Sequence, residues 1–97
     1  MVDFPQSHPG DVLLEDFLKP LGMSQYALAK AIDVPQIRIS EIIRGTRAIS
    51  PDTALRLARY LGTSAEFWIG MQATYDLAQA RDKLGAKIDA SISPRAA

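Results

Sequence analysis

The sequence predicts an all-α domain of five helices, and two kinds of observation carry that reading. Apolar residues recur at intervals of three and four through five separate segments, the spacing that places them on one helical face. Residues suited to starting and stopping helices bracket the segments: Ser24, Ser50 and Thr63 ahead of apolar runs, and Gly22, Gly45 and Gly62 behind them. Ninety-seven residues make one domain with a modest core, so association is a natural source of further stability.

The first helix is expected from Pro9 to about Leu18, with Ser7 or His8 ahead of it and Asp11 and Glu15 toward its positive end. Val12, Leu13, Phe17, Leu18 and Leu21 form its apolar stripe, and Pro20 and Gly22 are expected to end it. Residues 1–7 show no periodicity and read as a flexible N-terminal arm. His8 is the only histidine, and no convergent partners for metal or proton chemistry are visible around it, so a structural role is the simpler reading.

Gln25 to Gly45 reads as two short helices joined by a tight turn. Leu28, Ala29 and Ile32 bury one face of the first, and Ile39 and Ile42 do the same on the second. Asp33 and Val34 make the turn, and Pro35 suits a first helical position, where its missing N–H removes no intrahelical bond. Gln36, Ile37, Arg38, Ser40, Glu41 and Arg44 then face outward. Such a set suits a helix that reads base edges in a major groove, because bases are distinguished there by donors, acceptors and the thymine methyl. Apolar spacing alone is equally compatible with a plain helical hairpin whose outer residues are only solvated.

After Gly45, Thr46 and Arg47 form a loop able to touch a sugar-phosphate backbone. Ser50, Pro51 and Asp52 open the fourth helix as cap, first-turn proline and acidic residue. Ala54, Leu55, Leu57, Ala58 and Leu61 give it a buried face, while Arg56 and Arg59 read as solvated. Thr63 and Glu66 have the spacing of a capping box for the fifth helix. That helix carries Phe67, Trp68, Ile69, Met71 and Tyr75, a surplus of apolar and aromatic residues that points to a partner surface. Phe67 and Trp68 also suit the domain's own core. The candidates for a dimer contact are Trp68, Met71, Tyr75 and Leu77. Gly70 is a possible kink, at about 1 kcal/mol relative to alanine. The helix is expected to fray by about Leu84, leaving residues 8–84 as the domain and 85–97 as a disordered tail.

Eleven basic residues balance eleven acidic ones, so total charge gives no support for nucleic-acid binding. The distribution says more. Asp3, Asp11, Glu15 and Asp16 against Lys19 leave residues 1–24 at −3; Lys30, Arg38, Arg44 and Arg47 against Asp33 and Glu41 leave residues 25–47 at +2. There is no cysteine, and neither a secretory leader nor a long apolar span is evident, which leads to the expectation of a cytoplasmic protein. No catalytic constellation emerges, no cofactor is implied, and the serines lie mainly at caps.

Gln25, Leu28, Ala29, Ile32, Val34, Ile39, Ile42 and Gly45 stand in the register of phage-repressor-like (Cro-like, XRE-type) helix-turn-helix domains. Over His8 to Leu77, the HPG opening, the RISEI core, the DTALRLAR helix and the AEFW helix start together resemble HigA/VapI-type antitoxins of bacterial toxin–antitoxin modules. The resemblance implies a five-helix domain with an extended C-terminal helix. It also implies a homodimer that binds a palindromic operator, represses its own operon and inhibits a small HigB-like, RelE-type mRNA endonuclease toxin. Matching positions nominate Gln36, Ile37, Arg38 and Glu41 for the bases, and Gln25, Ser40, Arg44, Thr46 and Arg47 for the backbone. The recognition helices of a dimer would enter successive major grooves about 34 Å apart. Asp33 stands where the family commonly has glycine, and aspartate tolerates a left-handed backbone better than most residues. Glu41 would repel phosphates unless it accepts from a cytosine amino group. A stand-alone repressor without a toxin, or a helical adaptor binding only protein, are the alternatives.

Overall fold

The computed structural model describes residues 8–96, so the expected arm at 1–7 lies outside the described residues. Five helices follow one another: α1 (residues 9–21), α2 (Gln25–Ile32), α3 (Gln36–Arg44), α4 (Pro51–Leu61) and α5 (Ala65–Ser91). No strand occurs among the described residues, and no helix there is long and apolar enough to cross a membrane.

Helix α1 does not stop before Pro20. It widens into a π-helical turn over Leu13–Leu18, with the Lys19 N–H donating to the Leu14 carbonyl, and resumes as Lys19–Leu21. A proline inside a helix lacks an N–H and collides with the carbonyl four residues back. The wider i→i−5 turn just before Pro20 removes both conflicts, and Gly22, at φ 62°, ends the helix instead. His8 caps the start: its Nδ1 accepts from the Gly10 N–H at 3.1 Å, and its Nε2 lies 3.3 Å from Asp11.

Ser24 caps α2 by accepting from the Ala27 N–H at 3.0 Å. Asp33 closes that helix in the left-handed region, at φ 59° and ψ 54°, the conformation a glycine would adopt there more cheaply. Pro35 stands one position earlier than expected, as the extended cap of α3 rather than its first residue. Gly45, at φ 79°, lets the Thr46 N–H return to the Glu41 carbonyl at 2.9 Å and so close α3. Ser50 caps α4 as expected, but Leu55 is 64% exposed rather than buried, because Thr53, Ala54 and Leu57 take the inner face.

At the start of α5 the division of labour differs from a capping box. Ser64, not Thr63, accepts from the Phe67 N–H at 3.0 Å, while Thr63 Oγ1 accepts from the indole Nε1–H of Trp68 at 2.7 Å. Trp68 is fully buried among Leu13, Leu18, Leu28, Ile39, Ile42 and Leu57, with Phe17 tilted against it at 5.3 Å between ring centroids. Its indole therefore belongs to the core, and the expectation that it lies in a dimer contact is corrected. Helix α5 neither breaks at Gly70 nor frays at Leu84. It runs 27 residues to Ser91, about 40 Å at 1.5 Å per residue. The segment after Leu77 is rich in alanine, leucine, glutamine, lysine and arginine, whose helix propensity offsets Gly85. The boundary drawn at residue 84, and the disordered tail from 85, are corrected accordingly.

Candidate nucleic-acid interface

Helices α2 and α3 form a rigid pair because Leu28, Ala29, Ile32, Ile39 and Ile42 are all buried where they meet each other and the rest of the core. Helix α1 supports α3 from behind at unusually close range. A Cβ on Gly10 would lie 2.0 Å from the Ile42 carbonyl oxygen, so only glycine lets the two backbones approach this far. His8 shares this region, with its ring edge-on to Tyr75 at 5.9 Å. Its role is structural, as the sequence suggested.

With its inner face fixed, α3 turns Gln36 and Ile37 outward; Ile37 is a large apolar side chain left 54% exposed. Arg38 and Glu41 are half-buried because each is engaged by an opposite charge. Nη1 of Arg38 donates to Asp52 Oδ2 at 2.8 Å, and Nε of Arg47 donates to Glu41 Oε1 at 2.8 Å, with Nη2 of Arg47 in ion-pair contact with the same oxygen at 2.7 Å. Ser40 and Thr46 spend their hydroxyl protons on carbonyls of α3, those of Gln36 at 3.3 Å and Glu41 at 3.2 Å. Arg44 is exposed and has no side-chain partner among the described residues. Gln25 sits half-buried in the first turn of α2.

One element of this surface escaped the sequence reading. Arg56 is not simply solvated: Nε donates to both oxygens of Asp52 at 3.2 Å, and Nη1 donates to the Ile32 and Asp33 carbonyls at 2.9 and 3.1 Å. It ties α4 to the turn that leads into α3. The Arg56 hydrogen bonds hold the Asp52 carboxyl below its ordinary value; desolvation opposes them, and Arg38 adds a smaller lowering contribution. The Asp52–Arg56 spacing of four residues on a helix is a signal that could have found this pair. Nothing in the sequence marks Asp52 as the partner of Arg38, fourteen residues away.

The dimer candidates divide as well. Met71 packs partly against the core, Tyr75 is half-buried against His8, and Leu77 is exposed.

A family model described as helix-turn-helix matches residues 14–68, more than half of the chain. Virulence-associated protein I of Dichelobacter nodosus is 49% identical over 92 residues, covering 94% of this chain and 85% of that relative. Antitoxin HigA-1 of Vibrio cholerae is 36% identical over 74 residues, covering 76% and 70%. Among solved structures, the Pseudomonas aeruginosa antitoxin HigA with the higBA promoter has a TM-score of 0.91 at 41% identity, covering 94% of this chain and 99% of that one.

Proposed function

Because this chain belongs to the helix-turn-helix family of HigA antitoxins and virulence-associated protein I, a DNA-binding and non-enzymatic family, we propose that it is a dimeric antitoxin and autorepressor. Its dimer binds a palindromic operator through α3, and the same protein neutralises a small HigB-like mRNA endonuclease. The observation that supports this most is the outer face of α3. Gln36, Ile37, Arg38 and Glu41 supply donors, acceptors and an apolar contact on a helix fixed from behind, the chemistry that base-edge recognition requires. Gln25, Ser40, Arg44, Thr46 and Arg47 hold the sugar-phosphate backbone on either side. Ser40 and Thr46 do so by donating their hydroxyl protons to phosphate oxygens, which requires those protons first to leave the Gln36 and Glu41 carbonyls.

Fluorescence anisotropy with the protein's own promoter duplex and a random duplex tests the reading head. Arg38→Ala should cost about 1–3 kcal/mol on the operator and blur sequence preference. Arg44→Ala should weaken both duplexes alike. Equal losses on both duplexes for both variants would refute the division between base and backbone contacts. The toxin partner is tested by co-expressing any small basic protein encoded beside this chain's gene: stable co-purification supports the antitoxin, and the lack of such a partner leaves a stand-alone repressor.

Dimerisation through Met71, Tyr75 and Leu77 on α5 is tested by sedimentation. Leu77→Asp is the cleanest variant, since Leu77 makes little use of its own core whereas Met71 does. A monomer is expected; an unchanged dimer places the contact elsewhere.

A further inference from the structure

We propose that Asp52, outside the reading helix, is a specificity-determining residue that positions Arg38 for its base; this rests on the reading of α3 as the base-contacting helix. The carboxylate sits in a relay of three side chains. Arg56 is anchored to the Ile32 and Asp33 carbonyls, at the turn before α3, and holds both oxygens of Asp52. Asp52 Oδ2 in turn holds Arg38 at 2.8 Å. The reading arginine is thus tied, through α4, to the same turn that sets the direction of its own helix.

Two consequences follow from how Arg38 is held. Only Nη1 is engaged, so the other guanidinium N–H donors have no partner among the described residues. Guanine needs only two donors in a fork to reach its O6 and N7. A guanidinium gripped at one nitrogen keeps such a fork available while losing much of its rotational freedom before DNA arrives. The ordering cost of a long side chain is then met in the free protein rather than in the complex. The second consequence is electrostatic. Asp52 is exposed and offsets the Arg38 charge that a bare phosphate would otherwise attract, so the pair lowers attraction to any duplex while preserving donors for the right base. Both effects widen the gap between operator and random DNA.

The experiment compares wild type, Asp52→Asn, Arg38→Ala and the double variant on operator and random duplexes at one salt concentration. Asp52→Asn should weaken operator binding about two- to tenfold per reading head, the range that ordering one long side chain represents. Random-duplex binding should hold or tighten, so that the operator-to-random ratio falls. In the Arg38→Ala background the same substitution should leave the ratio unchanged, and Asp52→Glu should restore it. Asp52→Ser reads the same ratio should the asparagine variant fold poorly, with thermal melting as the control. A ratio unaltered by Asp52→Asn, or one that falls equally without Arg38, overturns the proposal. A wild type that shows no operator preference overturns the reading of α3 together with it, whereas a preference erased by Arg38→Ala and kept by Asp52→Asn overturns the role of Asp52 alone.

Discussion

Gly10 is the residue on which the seating of the reading helix depends most directly. The atom that an added methyl would meet, 2.0 Å away, is the main-chain oxygen of Ile42, which cannot rotate aside as a side chain could. Gly10→Ala must push α1 away from α3, and overpacking of that kind costs about 1–3 kcal/mol or more. Urea denaturation should show that loss. The HPG opening was visible in the sequence as a pattern, but its reason was not, because a close approach between residues 10 and 42 is a property of the packed chain. The same holds for Asp52. Its acidic type at the start of α4 was legible as a helix-dipole device, while its grip on Arg38 was not. Its carboxyl is held below the ordinary value chiefly by the Arg56 hydrogen bonds. A depressed folded-state pKa contributes stability that is fully present above the unfolded value of about 3.9 and is lost as pH falls through the lower folded value. The stability difference between wild type and Asp52→Asn should therefore stay constant from pH 7 to 5 and shrink only below about pH 4, which urea titrations across that range will read.

At the level of elements, caps and stops were the most legible features. Ser24, Ser50 and the three positive-φ glycines act where local chemistry alone dictates them. Legibility fails where two local signals compete. Pro20 is a breaker by its own chemistry, yet Leu18 is fully buried and the turn before the proline can widen, so burial carries α1 past it. In α5 the breakers are weaker still. Gly70 and Gly85 each cost about 1 kcal/mol, and the strong helix formers around them outweigh that sum. Beyond the adjoining backbone of its own helix and its two chain neighbours, no described atom lies within 4 Å of where a Cβ on Gly85 would stand. Gly85→Ala should accordingly stabilise the last two turns of α5 by about 0.5–1 kcal/mol. Slower amide hydrogen exchange over residues 85–91, with no change in α1 to α4, is the expected result; unchanged exchange would mean that propensity does not limit the end of this helix.

For the whole molecule, the length of α5 sets the shape: extents of 53 × 29 × 22 Å and a radius of gyration of 16.5 Å, against about 13 Å for a compact domain of this size. The projecting half carries Leu77, Leu84 and Ile88 exposed, at helical spacings of seven and four, so the elongation comes with an apolar face suited to a second copy. A dimer matters electrostatically because the chain as a whole is neutral and two of the three arginines of the reading surface are already paired with carboxylates. Arg44 is the one that remains without such a partner among the described residues. If it meets a phosphate in each protomer, its removal deletes two counterion-releasing contacts from the complex. The slope of log K against log salt concentration should then become shallower by about 2 in Arg44→Ala, at roughly 0.9 per phosphate contact. Arg38→Ala should leave the slope nearly unchanged while weakening the operator complex at every salt concentration, because a base contact releases no condensed ions. Titrations of the operator duplex between about 50 and 200 mM salt separate the two. Equal slope changes for both variants would show that Arg38 too is held by the backbone, and that α3 sits in the groove in a different orientation.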